Sequence, residues 1–408
     1  VSTPVLLAYL ALLLGFAVFQ WRKGRENEGY FLAHRQLPFG LAFATYLATS
    51  IGSSSTLVQA SLIGKYGWKA LALEFGGAVG FVLFGLFLAG RIRRTQAFSL
   101  PHVLGQTYGA GVQKTASVLV VVAEVLWLAL ILRALITLAL FSPFTLVLMF
   151  CVFLAAMVLG GQWGLAWMDV VQAALIFAGF AALCAFVPSP VSRLPSPEPM
   201  PGILIYSLFF STLLPHIAGS DIWGKALSAR DGTVAARAAV AAGIGKAAWA
   251  LLLFFVVVRF GLPPAGDKTL PALFGMLPPW LAVLPILSLL AALLSSANSV
   301  LLTAATTLQH DLFTGLQARR LLTLALGVAG AALAWAAPSL LSLFMKSYGF
   351  FAVAVSAPAL LAFLPRRPHR RWVIAGMIGG GLLALWLPLL PALVLALAFH
   401  LLGLLLRE

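Results

Sequence analysis

Long apolar runs separated by short polar loops set the pattern of the whole chain. A helix needs roughly 20 largely apolar residues to cross a bilayer, and about thirteen stretches qualify, some with help from their flanks. They lie at 4–21, 41–63, 68–89, 115–141, 143–160, 167–187, 203–227, 233–262, 280–312, 320–337, 338–364, 371–387 and 391–406. The expected fold class is all-α integral membrane. The first stretch is a leader helix, and the others are numbered here as core helices one to twelve. In the leader the basic cluster Arg22, Lys23 and Arg25 follows the apolar run instead of preceding it, so we expect a retained spanning helix, not a cleaved signal.

Polar residues interrupt two of these runs in mid-span. Core helix one contains Ala48-Thr49-Ser50-Ile51-Gly52-Ser53-Ser54-Ser55-Thr56, and core helix six contains Pro215-His216-Ile217-Ala218-Gly219-Ser220-Asp221. Proline removes a backbone donor and glycine weakens a helix, so both segments are expected to unwind. Lipid tolerates that only where the freed backbone lines a cavity or meets another polar group. The two helices open successive sets of five, and interrupted helices at matching positions mark a secondary transporter built from inverted repeats.

Core helix eight adds the stretch LLSSANSVLLTAATTLQHD, Leu293–Asp311, a row of small oxygens in an apolar run. A lone membrane serine commonly bonds back to its own helix or to a neighbour. The residues alone leave open what a membrane helix does with so many hard oxygens side by side, Ser295 and Ser296 among them.

Composition sharpens the class. The chain is 62% hydrophobic and only 9% charged, with a mean hydropathy of +1.03. A soluble chain of this length needs more charge to cover its surface. The net charge of +15 sits in alternate loops, so it reads as a topology signal with the N-terminus outside and the C-terminus cytoplasmic, not as a nucleic-acid surface. The connection Pro188–Pro201 is proline-rich and expected to be semi-rigid. Cys151 and Cys184 lie in apolar runs and indicate no disulfide. The six histidines form no metal-protease motif, so no catalytic residue and no enzyme activity are expected.

Five segments in order resemble a known family. Tyr30–Pro38 is similar to the YFLAGRxLP entry of the sodium:solute symporters, and Ser99–Gly109 to their TLPEYLxxRYG segment. Gly160–Gln172, with GGQW and WMDVVQ, resembles GG…VxWTDxxQ. Asp221–Asp231 resembles the loop after helix six, and the serine-rich stretch of helix eight resembles AxxSSxxSxL…D. The resemblance implies the leucine-transporter-like fold, a 5+5 inverted repeat. We expect a leader at 1–27, a first repeat at 28–187, a second at 188–365 and two C-terminal helices at 366–408.

Carried over by motif, the family's main sodium site falls on Ala48, Ile51, Ala292, Ser295 and Ser296. A second sodium site of some members falls on Asp169, Asn298 and Ser299, with Asn298 replacing an expected serine. Glu74 and Lys246 resemble the residues with which the sugar-carrying branch binds its solute. Ser50, Ser55, Thr212 and Lys346 complete the candidate solute set, although Thr212 and Ser55 replace the amides of that branch. Glu124 and Arg133 are expected to serve packing or lipid contacts, and Tyr46, Tyr66, Trp68, Phe75, Tyr206 and Tyr348 are aromatics suited to lining the solute site.

The resulting expectation is sodium-coupled symport of a small polar organic solute (sugar, sialic acid, amino acid or carboxylate) by alternating access in the plasma membrane. Sodium is the coupling ion; solute and lipid bilayer are the other partners, with no nucleic acid and no obligate protein partner. A proton-coupled symporter of the same fold, with Asp169 or Glu74 as carrier, and a membrane solute sensor are the alternatives.

Overall fold

The computed structural model describes residues 3–24, 26–186, 197–262, 265–313, 318–337 and 339–405. Helices carry almost all of it, and the one β contact among the described residues is a bridge between Leu37 and Ala229. The leader is α1 (Thr3–Gln20). Core helix one comprises α2 (Phe39–Ser50) and α3 (Gln59–Tyr66). Core helix two begins as α4 (Ala72–Phe84). The segment α5 (Leu100–Tyr108) leads into core helix three, α6 (Ala110–Thr137). Core helices four and five are together labelled α7 (Pro143–Phe186), which is kinked at Gly161, and core helix six comprises α8 (Gly202–Ala218) and α9 (Ser220–Ser228). Then come α10 (Gly232–Arg259), α11 (Pro279–Thr307), α12 (Arg319–Ala336) and α13 (Leu340–Phe351), which are core helices seven to ten. The last two are α14 (Arg370–Ala384) and α15 (Leu389–Leu405).

Among the described residues nine helices are long and apolar enough to cross a membrane, and Phe39–Ser50 and Leu389–Leu405 are shorter apolar helices. The count of thirteen is therefore not confirmed. The difference arises where helices meet at tight turns: Ser54–Arg94 holds the second half of core helix one and core helix two across a turn at Gly67 (φ 63°), and Pro143–Phe186 holds core helices four and five across a kink at Gly161. At Gly161 the backbone takes φ 52° and ψ −153°, and an added Cβ would stand 2.6 Å from the Tyr30 carbonyl oxygen. Only glycine holds such a turn comfortably. The proline-rich connection lies mostly outside the described residues.

Both expected breaks are present. Core helix one stops at Ser50, and Ile51 leaves the helix at φ −104° and ψ 78°. Core helix six stops at Ala218, where Gly219 is extended at ψ 135° before α9 resumes. Pro215 itself stays within the helix, so glycine and not proline makes the interruption.

Around these breaks α11 is the central post. Its span Pro279–Leu312 is the most enclosed of the nine, 83% of its apolar window being buried, against 33% for the leader. It packs on α7, α6 and α2. Helix α4 lies close on α8, because Gly76 and Gly80 bring the Phe209 and Leu213 carbonyls within 2.2 Å and 2.7 Å of where a Cβ would stand. Small residues at such a seam let membrane helices approach closely. The chain after α9 is pinned to the entry of α2: the Leu37 amide donates to the Ser228 carbonyl (3.1 Å) and the Arg230 amide to the Leu37 carbonyl (2.9 Å).

Candidate ion and solute site

Where α2 ends, its last turn leaves carbonyls that no following helical amide takes up in the ordinary way. Helix α11 supplies hydroxyls to them. Ser295 Oγ donates to the Ala48 carbonyl at 2.9 Å, and Ser296 Oγ donates to the Thr49 carbonyl at 2.7 Å. Both hydroxyls also lie 3.1 Å from the Ala292 carbonyl of their own helix. Five oxygens from two helices therefore converge at a buried point, four of them on residues the sequence singled out. Thr49 is the addition. Ile51, the fifth sequence candidate, is fully buried at the break, and no contact of its carbonyl defines its part. Gly52 completes the fit, since a Cβ there would meet Ser296 Oγ at 2.6 Å.

One turn further along α11, Ser299 Oγ lies 2.6 Å from Thr49 Oγ1 and accepts a hydrogen bond from Lys225 Nζ at 2.9 Å. Asn298 is buried beside it in sequence. Asp169 on α7 is fully buried, and neither of its carboxylate oxygens has a hydrogen-bond partner. That rules out the solvated helix-end role open to an aspartate in its position. Lys225, in the last turn of α9, is only 3% exposed. Asp221, Asp169 and Glu124 are the acidic groups whose charge bears on its ammonium. Glu124 is fully buried, so it belongs to this polar cluster and not to a lipid-facing surface.

The candidate solute residues separate into two places. Lys246 Nζ on α10 and Glu74 Oε2 on α4 form an ion pair at 2.9 Å, each side chain 1% exposed. The same ammonium donates to the Ser50 carbonyl (2.8 Å) and to Ser55 Oγ (2.9 Å), and Trp249 Nε1 donates to the Ser55 carbonyl (2.8 Å). Thr212 on α8 joins this group through Leu73, its hydroxyl donating to that carbonyl at 2.5 Å next to Glu74 in the chain. Ser50, Ser55, Glu74, Thr212 and Lys246 are thus brought together against the break. Lys346 is not: it is exposed, and lines a separate cavity of about 250 Å³ with Met345 and Trp386.

The aromatics also divide. Trp68 and Tyr206 are exposed, at 68% and 60%, and Tyr46 packs edge-on against Phe81 and Phe84. Tyr348 faces the break, its hydroxyl 3.2 Å from Ser54 Oγ, and meets Trp127 edge-on at 4.5 Å. Trp127, with Tyr348, Ser53, Ser54, Ser296 and Asp221, lines a small cavity at the break. Nothing in the sequence distinguishes Trp127 from the packing aromatics around it.

Two interrupted helices, a central hydroxyl-bearing helix and a buried charge pair at the break define the leucine-transporter-like fold of membrane secondary transporters. Comparison with known proteins agrees. The model of the sodium:solute symporter family matches residues 30–194, the stretch that holds core helices one to five. Among solved structures, a Na+-coupled sialic acid symporter in a substrate-bound outward-open state superposes with a TM-score of 0.81 at 17% identity, covering 99% of this chain and 97% of that one. A nucleobase-cation-symport-1 family transporter, Mhp1, in a closed conformation with bromovinylhydantoin bound, superposes with a TM-score of 0.63 at 16% identity, covering 92% and 94%. No curated protein matches by sequence. The family and both structural neighbours are transporters, not enzymes.

Proposed function

We propose that this protein is a sodium-driven symporter of a small polar organic solute. One observation carries the reading: Ser295 and Ser296 turn their hydroxyls onto the Ala48 and Thr49 carbonyls at the break of core helix one, within reach of the Ala292 carbonyl. In that arrangement the hydroxyl protons satisfy the carbonyls. A sodium ion entering between the helices would take the same oxygens as ligands, the intact hydroxyls turning their O–H bonds toward other acceptors, and so would need no buried net negative charge. Sodium would then hold α2 against α11, and so fix the face of the break that solute meets.

Solute would lie against Ser50, Ser55, Glu74 and Lys246, a patch with both a donor cation and an acceptor anion. Such a pair suits a solute bearing hydroxyls, and its ammonium suits a carboxylate; sugars, sialic acids, amino acids and small carboxylates are the classes to test. Alternating access, the two five-helix repeats, a plasma-membrane location and an outside N-terminus are parts of the same reading. An inward-negative potential adds about 2.3 kcal/mol per sodium charge per 100 mV to the drive.

The test is thermal unfolding of the purified protein against that panel, each solute in sodium and in potassium. A ligand at 100 times its dissociation constant adds about 2.7 kcal/mol of stability. The expected outcome is a solute that stabilises in sodium alone, with the sodium effect abolished in Ser295→Ala/Ser296→Ala. Equal stabilisation in both salts, unchanged by the double substitution, would remove sodium coupling and leave the proton-coupled alternative.

A further inference from the structure

We infer that His102, His310 and Asp311 form a binding site for a divalent transition-metal ion of the zinc type, which ties the start of α5 to the end of core helix eight. The site shares no residue with the ion and solute candidates above, and the inference stands whether or not sodium drives transport.

One ligand atom from each of the three residues lies within 4.8 Å of the other two. His310 Nδ1 stands 3.0 Å from Asp311 Oδ1, a separation that one ion spans with both bonds at about 2.0–2.2 Å. His102 comes from α5, far earlier in the chain. Its ring stacks on that of His310 with centroids 4.9 Å apart, and Phe98 stacks on His310 as well, at 4.3 Å. The Phe98 amide donates to His102 Nδ1 at 3.3 Å. Either ring nitrogen of His102 takes a metal only by giving up that bond: Nδ1 directly, or Nε2 because Nδ1 then carries the ring proton. The bond is longer than the common range of about 2.7–3.2 Å, so its loss costs little.

The surroundings of the carboxylate point to a cation. The Asp311 side chain is fully buried, while that of His310 is 30% exposed and opens the cluster to solvent. Ser99 Oγ donates to Asp311 Oδ2 at 2.5 Å, and Gln113 Nε2 donates to Oδ1 at 3.0 Å. Both donors are neutral. Among the described residues no lysine or arginine forms an ion pair with Asp311. Arg35, whose guanidinium lies over the Phe98 ring, is paired with Glu28 at 2.8 Å. A buried carboxylate calls for a counter-charge, and a protonated His310 alone would supply it but leave His102 without a part. A divalent ion supplies the charge and takes both imidazoles in their neutral, ligating form. Two imidazoles and one carboxylate are a set that zinc accepts, with water in the fourth position. Ser99 and Gln113 then hold the carboxylate as outer partners do at metal centres.

Local structure positions these ligands. His310 and Asp311 sit on the wide π turn Leu308–Leu312 that closes core helix eight, and such turns recur at functional sites. Ser99 also accepts from the His102 amide at 3.0 Å, so the residue that orients the carboxylate fixes the backbone of a second ligand. Phe98 and Ser99 line the small cavity that Lys225 and Ser299 share. A bound ion would therefore stiffen one wall of that cavity.

The experiment titrates zinc into purified, metal-stripped full-length protein that carries no polyhistidine tag, followed by calorimetry and by melting temperature, with cobalt as a spectroscopic probe. Wild type is expected to bind one zinc per chain, to melt higher with it, and to give cobalt the visible bands of a site with nitrogen and oxygen ligands. Gln113→Ala, which removes an outer donor, is expected to weaken zinc by about 10–100-fold, and His102→Gln or His310→Gln by more. His369→Asn, at a histidine that caps α14, is expected to bind as wild type. His102→Gln leaves both neutral donors to Asp311 in place, so it decides the matter should His310→Gln fail to fold. Wild type without saturable zinc binding overturns the inference. So does a folded His102→Gln that binds as wild type, because the ion then sits elsewhere.

Discussion

Gly52 shows how closely single atoms decide the candidate site. It has an ordinary place in a polar patch, yet a Cβ there would fall 2.6 Å from Ser296 Oγ and 3.0 Å from Ser296 Cβ. Gly52→Ala must push the hydroxyl away from the Thr49 carbonyl or push the break away from α11. We expect a folded protein whose sodium affinity falls about tenfold, equivalent to about 1.4 kcal/mol, in a titration of thermal stability against sodium. An unchanged titration would mean that Ser296 is no part of the ion site. The Glu74–Lys246 pair makes a different kind of prediction. Replacing Glu74 by Gln leaves a buried ammonium without its counter-charge, which in comparable pairs destabilises by about 3–5 kcal/mol. Chemical or thermal unfolding should show that loss for Glu74→Gln and a partial recovery for Glu74→Gln/Lys246→Met. If the single variant is as stable as wild type, the pair exists for solute and not for the fold.

Individual helices are specified by their ends as much as by their apolar faces. Helix α10 starts at Asp231, whose side chain accepts from the Val234 amide at 2.8 Å. That hydrogen bond holds the Asp231 carboxyl below the usual carboxylate range. A depressed acid stabilises the folded state above its unfolded pKa, and the contribution fades as pH falls through the lower folded value. Asp231→Ala is expected to lose about 1 kcal/mol at neutral pH, measured by thermal unfolding, with the difference from wild type closing in acid. Asp231→Asn should retain the cap and lose its pH dependence. Gly161 is the stricter case: its backbone conformation lies in a region used almost only by glycine, where another residue stores roughly 1–3 kcal/mol of strain. Because the added Cβ would also strike the Tyr30 carbonyl, Gly161→Ala is expected to lower the yield of folded protein and its melting temperature together. The segment Ser99–Gly109 gains a physical role as well. Ser99 caps α5 and also donates to Asp311 at 2.5 Å, while Gln113 Nε2 donates to the same carboxylate at 3.0 Å. Two family-like motifs far apart in the chain thus lock together at the end of core helix eight.

At the scale of the whole molecule, the proposed reading has sodium and solute acting on one broken helix from two sides. Ala48 and Thr49 face the ion oxygens, and the Ser50 carbonyl, one residue on, faces Lys246. Linkage then requires reciprocity: sodium must raise the affinity for solute by the same factor as solute raises that for sodium, typically 5–150-fold. Binding titrations of each at zero and saturating levels of the other should give equal factors; a factor of one would separate the two sites. The sequence by itself determined the membrane class, the helical stretches, the two breaks and the hydroxyl row of core helix eight, because hydropathy, glycine and side-chain type are local properties. The resemblance paired Ser295 and Ser296 with the carbonyls of Ala48 and Ile51 and did not name Thr49. Their partners lie 247 residues away in sequence, and only the packing of α11 against α2 selects Thr49 as well as Ala48. The same packing buried Lys225 and Glu124 and set Lys346 apart from the other solute candidates. Those outcomes depend on where rigid helices come to rest against one another. A pattern read along one strand of chain carries no record of that.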